Sequence, residues 1–368
     1  MNKSFDVYFD LCKPKIRAVV LDSNDKKKIY CEKNLIFKTE DLEKEIKEVI
    51  SHIESDIEDY VDELTILVDS PNVMSVSLSL LKKLDGSKLR KEDIQFLIQS
   101  GKQQILSNYL NLNILHIIIN NYKIDNRDYD FLPNDINCKL ISVDIIFICL
   151  PKNEIINLKK LFSRLDVSIN QIYCTSYIKS LSYKKRLMSV KNITFIDIGF
   201  RKTSIINYKK DKIISFNFVP IGENHITKDL SEVLNIDFLE AEKIKIKFYK
   251  DYASSNENFS PDLIQNIISA RVEEILRLSL KYSTSYQNPK ENIFFKKILI
   301  GESAKILNNL FKEKIALMYE IDLLEENNIE IFQSAQALKE GSNKQEVVII
   351  PKKQDKIGLF ERLFHIFK

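Results

Sequence analysis

The stretch Ile193-Thr194-Phe195-Ile196-Asp197-Ile198-Gly199-Phe200-Arg201-Lys202-Thr203-Ser204 opens three apolar runs, 193–198, 204–208 and 213–218, separated by Lys, Arg, Asp and Gly. Runs this short, rich in Ile, Phe and Tyr and bounded by turn formers, read as a three-strand meander. The chain begins in the same way: residues 5–11, 16–21 and 29–37 are strand-like, with Lys13-Pro14 and Ser23-Asn24-Asp25 between them. In both copies an aspartate closes in on the first turn, as Phe9-Asp10-Leu11 and Ile196-Asp197-Ile198. Two βββ units, each followed by helices, predict a duplicated α/β fold with a cleft between its halves. The alternative is that any two meanders look alike.

Between the copies, Leu42, Ile46, Val49, Ile53 and Ile57 recur at helical spacing, and 64–68 reads as a buried strand. Residues 71–145 have an α+β pattern of their own: alternation over 76–80, a helix over 94–106, and strands over 114–119 and 140–149. Asn153 stands as a cap for a helix over 154–165, and a strand over 169–174 and a helix over 177–187 close the half. After the second meander come helices over 224–234, 238–248 and 262–282, a strand over 297–300 meeting Gly301, and a helix over 303–311. Residues 342–355 read as a linker in which 347–350 is apolar enough to pair as an edge strand.

At 368 residues the chain suits two lobes or several subdomains rather than one core. A net charge of +3, without a long basic block interleaved with aromatics, speaks against nucleic acid as a partner. Five scattered cysteines and four distant histidines give no metal-ligand spacing, so no metal site is expected. Only 7 glycines are present, which matters wherever a loop must cradle phosphate. No apolar stretch approaches the ~20 residues of a spanning helix and no signal peptide opens the chain, so a cytoplasmic protein is expected.

The last residues differ in kind. Phe360, Leu363, Phe364 and Phe367 fall on one stripe at 100° per residue, flanked by Ile357, Leu359 and Ile366, with Glu361, Arg362, His365 and Lys368 opposite. A helix over 356–368 is too short to cross a bilayer and suits lying in its interface. A terminal helix packed on its own protein has the same pattern.

Phe195-Ile196-Asp197-Ile198-Gly199, then Val219-Pro220-Ile221-Gly222-Glu223-Asn224-His225-Ile226-Thr227, then Glu240-Ala241-Glu242-Lys243-Ile244-Lys245, resembles the FtsA family of bacterial cell-division proteins. The resemblance is strongest over 193–245 and 357–368. It implies an actin-like (ribonuclease-H-like) fold: 1–70 with 146–190 as the first lobe, 71–145 as an inserted α+β subdomain of the SHS2 kind, and 191–221 with 286–341 as the second lobe. Residues 222–285 become a helical subdomain, with 342–355 as linker and 356–368 as membrane-targeting helix. It further implies self-association into filaments and binding of the FtsZ C-terminal peptide near Arg271. Recruitment of other divisome proteins, at the cytoplasmic face of the inner membrane at the septum, belongs to the same picture.

By the same resemblance Asp10, Asp197, Gly199, Glu242, Lys245 and Gly301 occupy nucleotide-binding positions, with ATP and magnesium as the implied cofactors. The phosphate motifs are eroded, however. Asp10-Leu11-Cys12-Lys13 lacks the expected glycine and hydroxyl, Phe200-Arg201-Lys202 replaces a glycine run, and Ile300-Gly301-Glu302 replaces a Thr-Gly-Gly. Side chains there take the space and the backbone donors a phosphate needs, although Lys13, Arg201 and Lys202 could attract one. The expectation is a scaffold with weak or lost ATP binding and no catalytic residues. The alternatives are a pilus-assembly platform of the PilM type and an active ATPase of the actin and Hsp70 kind.

Overall fold

The computed structural model describes residues 5–11, 15–22, 28–34, 42–133, 135–250, 259–284, 294–301, 319–341 and 345–347. The expected tail helix with its seven apolar residues, most of the linker, the helix over 303–311, and Cys12, Lys13 and Glu302 lie outside the described residues.

The first sheet is built from β1 (Phe5–Leu11), β2 (Lys15–Asp22), β3 (Lys28–Asn34), β4 (Glu63–Val68) and β9 (Ser168–Cys174), in the order β3-β2-β1-β4-β9. The second comprises β10 (Asn192–Ile198), β11 (Thr203–Lys209), β12 (Lys212–Val219), β13 (Lys296–Ile300) and β14 (Ile321–Leu323), in the order β12-β11-β10-β13-β14. The two share one pattern: an antiparallel meander whose first strand pairs in parallel with the next. The duplication is thus one of topology, beyond what two arbitrary meanders would share. β1 and β10 are its equivalent central strands, and their apolar residues are nearly all inaccessible to solvent.

A third, wholly antiparallel sheet runs β5-β8-β6-β7, from β5 (Met74–Lys83), β6 (Leu112–Ile124), β7 (Arg127–Tyr129) and β8 (Leu140–Pro151). One face is covered by α2 (Lys91–Asn108), whose Ile94, Leu97, Ile98 and Ile105 enter its core. Gly101 of α2 has its Cα where a Cβ would lie 2.8 Å from both Leu80 and Phe147, so only glycine lets helix and sheet meet this closely. β8 carries this sheet on to Pro151, past the boundary at 145 expected from sequence.

Helix α1 (Leu42–Ile57) buries Ile46, Val49 and Ile53 of the expected stripe together with Ile50, while Leu42 and Ile57 at its ends are half-buried. Helix α3 (Lys152–Ser163) begins directly after Pro151, so Asn153 lies inside its first turn and is not its cap. Two helices cross between the main sheets. α4 (Thr175–Arg186) leaves β9 of the first and packs on β11 of the second, while α8 (Asn328–Lys339) follows β14 of the second and packs on β2 of the first and on α4. On the second sheet, α5 (Glu223–Leu234), α6 (Phe238–Lys250) and α7 (Pro261–Thr284) pack Leu230, Ala241, Ile264, Ile268 and Ile275 into one core with Ile196, Ile198 and Leu299 of that sheet.

One further segment ties these parts together. Gln345 to Val347 lies antiparallel to β6, with the Ile119 N–H donating to the Gln345 carbonyl (2.8 Å) and the Val347 N–H to that of Ile117 (2.9 Å). The Gln345 side chain accepts from the Ile213 N–H at 3.2 Å. Glu346 turns inward: it accepts from Tyr177 Oη at 2.7 Å and lies 2.7 Å from Nδ1 of fully buried His116, whose Nε2 accepts from the Cys174 N–H at 3.0 Å. That bond fixes the tautomer, leaving Nδ1–H to donate to Glu346. Of the edge strand expected over 347–350, the part described starts earlier, at Gln345.

Candidate functional site: the interlobe cleft

Asp10 and Asp197 each stand one residue before the end of a central strand. Each faces, across an antiparallel pair, the residue seven positions on: Asp10 faces Arg17, and Asp197 faces Ser204. The two aspartates are therefore equivalent by the internal repeat, and both are buried.

Around them is a set of charges that close on one another. Arg17 Nη1 lies 3.2 Å from Asp10 Oδ2 and 3.3 Å from Glu326 Oε1, while its Nε reaches Glu32 at 3.4 Å. Lys179 of α4 lies 3.4 Å from both Asp197 Oδ1 and Glu326 Oε1. Lys202 lies 3.5 Å from Asp69 and sits 4.3 Å over the ring of Phe218. Thr175 Oγ1 donates to Asp10 at 3.1 Å, and the Ser176 and Ser204 hydroxyls are 2.8 Å apart. Arg17, Glu326 and Lys202 are at most 3% exposed at their side chains. Glu326, which precedes α8, thus joins a first-sheet cation to a helix bonded to the second-sheet aspartate.

Three buried cations face four buried carboxylates. Burial in low dielectric pushes Asp10 up to about 6, with Arg17 and Lys179 opposing that shift and Glu326 and Asp69 adding to it. Burial likewise raises Asp197, against the pull of Lys179.

The surviving glycines serve the same closure. A Cβ on Gly199 would lie 2.5 Å from Asp69 Oδ2, and one on Gly301 (φ +91°) would lie 2.7 Å from Asp197 Oδ1. The space beside them is filled by the chain's own carboxylates. The N-terminus of α5, which could hold an anion through free N–H groups, instead gives its Glu223 and Asn224 N–H groups to the carbonyls of Gly199 and Phe200, at 3.0 and 2.8 Å. Glu242 and Lys245 form a buried trio with Thr227: Lys245 Nζ is 2.8 Å from Glu242 and 2.9 Å from Thr227 Oγ1, which donates to Glu242. Among the described residues, the side chains at the positions implied for a magnesium-bound nucleotide are paired with other groups of the chain.

Arg17, Glu326 and Lys179 were missed in the sequence. Arg17 could have been found, being a lone charge inside the apolar run 16–21, where a buried charge requires a partner. Arg271 of α7 is held apart from the cleft. Its guanidinium binds Asp229 through Nε (2.5 Å) and Nη2 (2.7 Å) and Glu274 through Nη1 (2.6 Å), which leaves two N–H donors and a quarter of the side chain in solvent.

Comparison with known proteins agrees with this architecture. The family model for "Cell division protein FtsA" matches residues 194–347, from the second central strand to Val347 beside β6. Over these residues the chain is similar to FtsA. It is 24% identical over 212 residues to the FtsA of Buchnera aphidicola (subsp. Schizaphis graminum), covering 53% of this chain and 50% of that protein. To the FtsA of Bacillus subtilis it is 26% identical over 210 residues, covering 53% and 47%. The chain thus spans about half the length of these FtsA relatives. Among solved structures it is similar to the PilM–PilN type IV pilus biogenesis complex (TM-score 0.62, 10% identity, 89% of each chain). It is also similar to MreB5 of Spiroplasma citri bound to ADP (TM-score 0.51, 10% identity, 92% and 97%). The fold is actin-like. Among the described residues, no helix is long and apolar enough to cross a membrane.

Proposed function

We propose that this protein is a cell-division scaffold of the FtsA kind, which self-associates and tethers FtsZ filaments to the inner face of the cytoplasmic membrane at the septum. The observation that carries the reading is the FtsA family match over 194–347, laid on an actin-like body that holds a third sheet between its lobes. The amphipathic pattern over 356–368 supplies the membrane contact and α7 with Arg271 the contact for an acidic FtsZ tail, with recruitment of later divisome proteins following from that position. The protein works without an ATP cycle. In support, Arg17 and Lys179 stand as tethered cations on the two aspartates that metal and phosphate would need, which speaks against the alternative of an active ATPase. The PilM-type reading has the fold likeness in its favour and the amphipathic tail against it.

The test combines two titrations: a labelled FtsZ C-terminal peptide against the purified protein, and co-sedimentation with liposomes with and without residues 356–368. Saturable peptide binding and tail-dependent sedimentation are expected. Absence of peptide binding removes the FtsZ assignment.

A further inference from the structure

The chain is almost balanced in charge, at +3 in 368 residues. Residues 184–191 and 209–212 alone hold seven cations and one carboxylate. The fold puts these two segments side by side: Asn192 pairs with Lys209 across β10 and β11, the Lys210 N–H reaches Asn192 Oδ1 at 3.4 Å, and Lys184 bridges to Asp211 at 2.9 Å. Lys185, Arg186, Lys191, Lys209 and Lys210 are exposed. Asp130 takes Lys210 and Lys212, and Glu330 lies 3.9 Å from Arg186. Lys185, Lys191 and Lys209 have no carboxylate partner among the described residues.

Two apolar side chains stand out of this basic face: Met188, 78% exposed, between its cations, and Phe131, 64% exposed, beneath Lys212. Unpaired lysines around protruding apolar side chains suit a surface with anionic headgroups above acyl chains. A nucleic acid would call for stacking rings in a groove, and an acidic peptide for a cleft. Gln345 borders the same face, contacting Ile213 and lining a hollow with Lys185 and Met188. Ten residues beyond Val347 the chain reaches Ile357, so a membrane gripped by the amphipathic segment lies within ~35 Å of chain from Val347.

We infer that the face made by the end of α4 and the β11–β12 hairpin is a second membrane contact, selective for anionic lipid, which fixes the orientation of the body on the bilayer. The inference rests on the membrane-tail reading only for the choice of lipid.

The experiment is co-sedimentation of the full chain with phosphatidylcholine vesicles, with and without phosphatidylglycerol. It compares the wild type, the triple variant Lys185→Gln/Lys191→Gln/Lys209→Gln, and Leu363→Asp, with circular dichroism melting to check folding. At ~1 kcal/mol per basic residue near an anionic surface, the triple variant should lose about a hundredfold in affinity on anionic vesicles and nothing on neutral ones. Loss on anionic vesicles in the triple variant but no loss in Leu363→Asp supports the basic face and sinks the tail. Equal binding of the triple variant and wild type to anionic vesicles overturns the proposal and leaves the tail untouched. Equal competition by soluble polyglutamate for wild type on both vesicle types also overturns it, in favour of an acidic peptide.

Discussion

Arg17 Nη1 lies 3.2 Å from Asp10 Oδ2, and the two residues face each other across β1 and β2 where the repeat places Ser204 opposite Asp197. One half of the duplicated cleft thus carries a fixed guanidinium on the aspartate, and the other half leaves that place to a hydroxyl and brings Lys179 from α4. The two halves reach the same end by different residues.

Isothermal titration or equilibrium dialysis with ATP and magnesium is expected to give no saturable binding at micromolar concentration, and no phosphate release. Asp10 and Asp197 are spoken for, and displacing two tethered cations is an added cost to any ligand. A micromolar dissociation constant abolished by Asp197→Ala would sink this account.

Arg17→Met should destabilise the protein by about 3–5 kcal/mol, because it leaves Asp10 buried without its guanidinium and Glu326 with Lys179 alone. Urea unfolding measures it directly. A loss below about 1 kcal/mol would mean that water reaches these carboxylates.

The raised aspartates set a direction for pH. Asp10 titrates near 6 in the fold against 3.8 in the free side chain. The folded state therefore holds the proton more tightly, and Asp10's contribution to stability is full below about pH 4 and falls as pH rises through about 6. Relative to Asp10→Asn, the wild type should lose up to about 3 kcal/mol across that window. Parallel stability curves for the two proteins would remove Asp10 as the titrating group.

For the acidic-peptide contact, Arg271→Ala should weaken binding by roughly 1.5–3 kcal/mol if the contact is desolvated. Glu274→Gln should strengthen it, since Asp229 and Glu274 together outweigh the one guanidinium they bind. Fluorescence anisotropy with a labelled FtsZ tail separates the two, and equal affinities across all three proteins would take Arg271 out of the site.

For the tail, Phe360→Asp or Leu363→Asp should move the protein from the membrane to the soluble fraction. Seven buried apolar side chains offer a gross gain of order 10 kcal/mol at ~1.5 kcal/mol each, most of it offset by helix formation and lost freedom. Unchanged fractionation of both variants would exclude the tail as anchor.

The parts of the fold carried by local pattern were legible in the sequence. Alternation and apolar runs placed β1, β4, β10 and α1 to within a residue or two, because strand and helix periods are written into neighbouring residues. β7, three residues long, has too little pattern to read. Helix α3 starts at Lys152 rather than after Asn153, since Pro151, which ends β8 with extended ψ (136°), already stands in the cap position. In the site, the eroded loops pointed to a cleft that had lost its ligand. What took the ligand's place is set by Arg17, Lys179 and Glu326, which lie as far as 309 positions apart, and no local pattern links them.

The short strand at 345–347 carries a mechanical consequence. Its hydrogen bonds to Ile117 and Ile119 lie across the strand direction. Traction on the chain from its C-terminal side, where it acts along that direction, is resisted by both bonds and the Glu346 contacts together in shear instead of one after another. Pulling from that side therefore loads β6, Tyr177 and the His116–Cys174 link at once, and the first lobe and the third sheet bear tension as one piece.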